Sequence, residues 1–221
     1  CIENRIQFLL KHPHLDFAVF PMSQFKKTPG ESNKTWRISD TEENDLDRFL
    51  KNDWGLLIGW LTTSPIWRKN TIEQLGGFDE SLLDWQDWDL HIRALLQDFK
   101  YEKVNVLPDW CYRFDGNDKI SRIKNPDNLK LKALSRTKML GKIIQALSDH
   151  KKLSVNRKKL LLIHYYNFCA LLITNKFYKE ALYVFGEMNG LRIRHTYTYN
   201  FLVMKLVAKL VYSFVRGQKS Q

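Results

Sequence analysis

Cysteine is scarce: three residues in 221, Cys1, Cys111 and Cys169, an odd number at wide spacing. That spacing gives no disulfide framework and no zinc pattern, and it favours a reducing, cytoplasmic setting. Cys111 and Cys169 read as small buried apolar residues. The six histidines, at positions 12, 14, 91, 150, 164 and 195, lack metal-ligand spacing. No charged segment followed by an apolar run opens the chain, so no secretory leader is visible. The first residue is Cys1 rather than Met, and the sequence reads as a fragment or a processed piece. No repeat of fixed period stands out. Tryptophan is missing beyond Trp110, and acidic residues nearly vanish beyond residue 125.

What is present is enough for a folded core: 44% of the residues are hydrophobic, which argues against disorder. The net charge of +11 is unevenly placed. Residues 1–125 hold 17 Lys/Arg against 20 Asp/Glu, and residues 126–221 hold 18 against 4. This break predicts two regions, 1–125 and 126–221. The basic second region suits an anionic partner: an acidic membrane surface, a nucleic acid or an acidic protein. No nucleic-acid recognition motif accompanies the charge, and the tryptophans lie in the other region, so nucleic acid is set aside.

Apolar spacing predicts a helix over residues 2–12, with Ile2, Ile6, Leu9 and Leu10 on its face and Pro13 as its stop. Residues 16–20 read as a strand ended by Pro21. Residues 26–53 read as a polar loop holding a short helix near 45–51, and 56–63 as a strand or buried loop. Asn70-Thr71-Ile72-Glu73 has capping-box spacing, and Gly76-Gly77 ends that helix. A further helix is expected over 85–99, with Trp88, Ile92, Leu95, Leu96 and Phe99 on one face. Strands are expected at 104–107 and 110–114. Beyond residue 125 the pattern is helical throughout, at about 127–148, 157–174, 177–188 and 197–216, with Asn175 and Gly190 between helices.

The most informative stretch is Gly76-Gly77-Phe78-Asp79-Glu80 followed by Trp85-Gln86-Asp87-Trp88-Asp89-Leu90. Two glycines permit a tight turn and close backbone approach. Phe78 can fill an apolar gap beside it. Asp87 falls in the first turn of a helix, where the helix dipole favours an ionised carboxylate. A carboxylate held near a hydroxyl is what a general base requires.

This pair of motifs resembles the Gly-Gly-Phe-Asp-Glu and Glu-Asp-x-Asp-Leu motifs of family 2 glycosyltransferases. The resemblance covers residues 1–122. Residues 2–20 are similar to the helix and strand that follow the family's metal-binding Asp-x-Asp. Residues 65–70 resemble the run before the Gly-Gly turn, and Tyr112-Arg113-Phe114-Asp115 with Ile120-Ser121 resembles the Tyr-Arg-x-His and Ile-Ser ending. The resemblance implies an inverting transferase that moves a sugar from a nucleotide-sugar donor to a saccharide or lipid-linked acceptor in polysaccharide or glycolipid synthesis. It implies a partial GT-A-like mixed α/β sheet with flanking helices, followed here by an all-α region.

By the same resemblance Asp87 is the catalytic base, and Gly77, Phe78, Asp79, Glu80, Trp85 and Gln86 surround the acceptor. Gln86 stands where the family has glutamate, and Asp115 where it has histidine. Arg113 and Asp115 would meet the donor diphosphate or a Mg²⁺ or Mn²⁺ ion. Each has a plainer reading: a cap for Asp79 or Glu80, core packing for Trp85, a structural salt bridge for Arg113 and an exposed loop acid for Asp115. The nucleotide-binding half and its Asp-x-Asp are not recognisable, so the chain by itself is expected to be an inactive part of the catalytic unit.

Over residues 199–216 the chain is almost wholly apolar, interrupted by Lys205, Lys209 and Arg216. Those charges argue against spanning a membrane. Packing on the preceding helices and lying on the inner face of the plasma membrane are the alternatives. A basic helical module without catalysis, docking a membrane surface or an acidic partner, is the competing function.

Overall fold

The computed structural model describes residues 1–31, 35–36, 44–51, 59–113, 125–193 and 196–218. The protein is mixed α/β, with two small sheets and a helical C-terminal part. The chain forms two compact units. One comprises Cys1–Asp79 and Gln86–Arg122, the other Glu80–Trp85 and Ile123–Gln221.

In the first unit, β1 (Phe17–Val19) lies between β4 (Pro65–Trp67), antiparallel to it, and β5 (Tyr101–Lys103), parallel to it. All three residues of β1 are buried, as expected of a strand covered on both faces. A second sheet places β2 (Met22–Phe25) between β3 (Thr35–Trp36), antiparallel, and β6 (Cys111–Arg113), parallel. The helices are α1 (Ile2–Lys11), α2 (Asp45–Lys51), α3 (Lys69–Leu75) and α4 (Gln86–Leu96). Phe17 stacks between Trp67 and Tyr101, and Trp60 and Phe49 extend this aromatic core to His91 of α4. A smaller cluster joins Leu9, Leu15, Ala18, Phe20 and Val104.

Two arginines, Arg5 buried and Arg68 half-buried, tie the elements together by donating to backbone carbonyls, which satisfies their hydrogen bonding. Arg5 pairs with Asp109 and donates to the Thr63 carbonyl at 2.7 Å. Arg68 donates to the carbonyls of Leu15 at 2.6 Å and Leu9 at 2.7 Å. Asp45 accepts from Tyr101 Oη at 2.5 Å and from Lys103 Nζ, fixing α2 to β5.

The second unit is built from α5 (Pro126–Asp149), α6 (Val155–Thr174), α7 (Tyr178–Gly190) and α8 (Tyr197–Gln218). Asn125 and Ser154 cap α5 and α6 through their side chains. Helix α6 packs against α5, α7 and α8, burying Leu161, Leu162, Tyr165, Phe168 and Leu172. The segment Glu80–Trp85 joins this unit. Asp84 accepts from Arg136 Nε at 2.9 Å, the Leu83 amide donates to Ser135 Oγ at 3.2 Å, and Leu82 is buried.

Several expectations are corrected. Helix α1 forms where predicted, but it buries Arg5 and Leu9 while Ile2, Ile6 and Leu10 stay exposed. The strand expected at 104–107 lies earlier, as β5; Val106 and Leu107 are exposed, so apolar composition there does not mark a strand. Strand β4 begins at Pro65, beyond the apolar run; of that run, residues 56–58 lie outside the described residues and 59–63 are not strand. Helix α3 starts before Asn70, with Arg68 as its N-cap and no side-chain cap. Helix α4 stops at Leu96, because Asp98 turns left-handed at φ 57°. Cys111 is exposed, 3.0 Å from Ser23 Oγ. Cys169 is buried, and burial pushes its thiol up to about 12.

Candidate active site

The Gly-Gly turn is built by backbone conformation. Gly76 caps α3 at φ 77° and Gly77 follows at φ 71°, a region that a Cβ penalises. No atom lies within 4 Å of where a Cβ would stand on either residue, so close packing is not the reason for glycine here. Phe78 plugs no gap: its side chain is 48% exposed. Asp79 is half-buried.

Helix α4 then opens with Gln86 and Asp87. Asp87 is half-buried, and its hydrogen bond with Thr62 lies at the surface. Thr62 Oγ1 donates to Asp87 Oδ2 at 2.6 Å, and the Trp88 amide lies 2.9 Å from Oδ1. Both bonds fix the orientation of the carboxylate at the start of α4.

One turn further on, His91 is fully buried among Phe49, Trp60 and Trp67. Its Nδ1 has no hydrogen-bond partner among the described residues. Burial lowers its pKa from 6.5 to about 4, against the smaller opposing pull of the Asp87 carboxylate. The imidazole is therefore neutral at pH 7.

Asp89 faces the other way. It is buried and pairs with Arg93, whose Nε donates to Oδ2 at 2.9 Å. The same guanidinium donates to the Leu75 carbonyl and to the Gly77 carbonyl at 2.8 Å. Arg93 thus clamps the end of α3 and the Gly-Gly turn to the helix that carries Asp87. Of the two carboxylates in Asp87-Trp88-Asp89, one is half-buried and the other is buried and structural. Trp88 is core, its Nε1 donating to the Phe49 carbonyl at 2.8 Å.

The expected acceptor set is divided. Gly77, Phe78, Asp79, Gln86 and Asp87 belong to the first unit, Glu80 and Trp85 to the second. Glu80 is exposed. Trp85, at φ 64°, precedes α4 rather than opening it. Its ring meets the Arg136 guanidinium at 4.3 Å, His164 at 5.9 Å and Phe168 at 5.9 Å. Arg113 lies exposed on β6 with its guanidinium 5.4 Å from the Phe25 ring; Asp115 falls outside the described residues.

Among the described residues no three of His, Cys, Asp and Glu converge as a metal site. Also among them, no helix is long and apolar enough to cross a membrane.

Sequence reasoning passed over Thr62, His91 and Arg93. The last two were accessible from helical spacing, each four residues after a carboxylate. Thr62 comes from a loop and carries no local signal. Compared with protein-family models, with curated proteins and with solved structures, the chain matches none.

Proposed function

We propose that the chain is the acceptor-side portion of an inverting, family 2-type glycosyltransferase with a GT-A-like first unit, and that Asp87 is its general base. The observation that supports this best is the Asp87 carboxylate: half-exposed, in the first turn of α4, directed by Thr62 and held beside a clamped Gly-Gly turn. In this reading an acceptor hydroxyl gives its proton to Asp87. Its oxygen attacks the anomeric carbon of the nucleotide-sugar donor. The bond to the nucleotide diphosphate breaks, its electron pair leaves with the diphosphate, and the anomeric configuration inverts. In the same reading Gln86 and the Gly77–Asp79 backbone hold the acceptor saccharide or glycolipid. The exposed Arg113 is free to meet phosphate oxygens. No step is assigned to a metal ion.

The test is Asp87→Asn in the full-length protein, assayed against a panel of nucleotide sugars. A general base contributes about 10²–10⁴-fold, so transfer is expected to fall by that factor while donor affinity, measured by calorimetry, stays unchanged. Undiminished turnover removes Asp87 from the chemistry; no transfer by the unsubstituted full-length protein from any nucleotide sugar overturns the transferase assignment.

A further inference from the structure

Helix α8 has no part in the proposed transfer. It rests on the helical unit through Tyr199, Leu202 and Leu206, all buried. A surface helix ordinarily turns a polar face to water, but the outer side of α8 carries Tyr197, Phe201, Met204, Val207, Val211 and Tyr212, exposed by between 38% at Phe201 and 83% at Tyr197. At 100° per residue these six form one stripe, with Lys205 and Lys209 along one edge between it and the buried side. Lys205 Nζ sits 4.4 Å from the Phe201 ring.

Beside the stripe is a groove of about 340 Å³, lined by Cys169, Ile173, Ala181, Leu182, Leu206 and Val207 among others. The groove and the stripe are continuous, because Val207 belongs to both. Leu182, which lines the groove from α7, is itself 72% exposed. Residues 191–221 contain six Lys/Arg and no Asp or Glu.

Charge and apolarity together select the occupant. A second copy would bring the same excess of positive charge to the contact, and like charges repel. A nucleic acid would satisfy the lysines but not the apolar stripe. No described helix is long and apolar enough to span a bilayer. A bilayer surface with anionic headgroups meets both requirements. The stripe enters the acyl boundary, the lysine stems lie along it, and their ammonium groups reach the phosphates. Tyr197 and Tyr212, about 22 Å apart along the helix, suit the headgroup level.

We propose that the outer face of α8, with the α7–α8 groove beside it, lies on an anionic phospholipid bilayer, the groove receiving an acyl chain. This stands whether or not Asp87 is a base.

The full chain is floated with phosphatidylcholine vesicles, with and without phosphatidylglycerol. It is expected to float with the anionic vesicles only, and added salt is expected to weaken the binding. Met204→Glu with Val211→Glu, at exposed positions, is expected to lower the partition at least about tenfold. Lys205→Glu with Lys209→Glu, which leaves the stripe intact, is expected to do the same; circular dichroism checks that both variants stay folded. Equal flotation on neutral vesicles, no flotation on either, or undiminished flotation of both folded variants overturns the proposal. So does a dimer in sedimentation that Met204→Glu dissolves, since the stripe would then be an interface between copies.

Discussion

The carboxylate of Asp87 has two neighbours whose roles can be separated. Thr62 donates a short hydrogen bond to it, at 2.6 Å, and a donor to an ionised group contributes about 1.5–3 kcal/mol. As a positioning residue, Thr62 should govern turnover more than binding. Thr62→Val is expected to lower kcat about tenfold with the donor KM unchanged, and Thr62→Ser, which keeps the hydroxyl, to restore most of it. Equal losses in both variants would point to packing instead.

His91 acts on stability. It is neutral when folded, with a pKa of about 4, and takes a proton near 6.5 when unfolded. Between those values the unfolded state binds more protons, so stability falls as pH drops through that window. The contribution is expected to be lost by about 2 kcal/mol at pH 5 relative to pH 7. Urea unfolding at the two pH values measures it, and His91→Phe is expected to remove most of the difference. An unchanged slope in that variant would assign the acid sensitivity to other groups.

At the scale of elements, α3, the Gly-Gly turn and α4 act as one piece because of Arg93. Its side chain is 25% exposed and that of Asp89 only 4%. Removing one partner of a fully buried pair costs about 3–5 kcal/mol; with Arg93 partly solvated, Asp89→Ala is expected to cost roughly 2–3 kcal/mol in urea unfolding. Because the clamp also takes the Gly77 carbonyl, transfer should fall in that variant even where the protein remains folded.

The long helices of the second unit were legible because their apolar spacing runs for many turns; the caps that set the starts of α5 and α6, Asn125 and Ser154, show only in the structure. Of the strands, β1 and β6 fall within the stretches expected at 16–20 and 110–114; the others, two to four residues long, were not legible. Over so short a run, alternation cannot be told from chance, and β2 follows β1 across Pro21 with no turn signature. For the candidate site, the glycine pair and the place of Asp87 in a first turn could be read locally. The hydroxyl of Thr62 could not, because it arrives from another loop.

At the scale of the whole chain, the change of charge near residue 125 stands close to Ile123, where the helical unit resumes. Composition could not reveal that Glu80–Trp85 belongs with the helices. That assignment depends on Asp84 meeting Arg136 and Lys132, residues about fifty positions away. A pairing of that range leaves no trace in local periodicity.

The excursion of Glu80–Trp85 has a consequence for the protein's history and for anyone recombining it with another. The backbone passes into the helical unit after Asp79 and returns at Gln86, ahead of its final departure. No single crossover therefore exchanges one half for a foreign one: a chimera joined near position 122 would leave Arg136 and Lys132 facing a stranger's loop in place of Asp84. Exchanging the helical part intact takes further junctions that carry Glu80–Trp85 along with it.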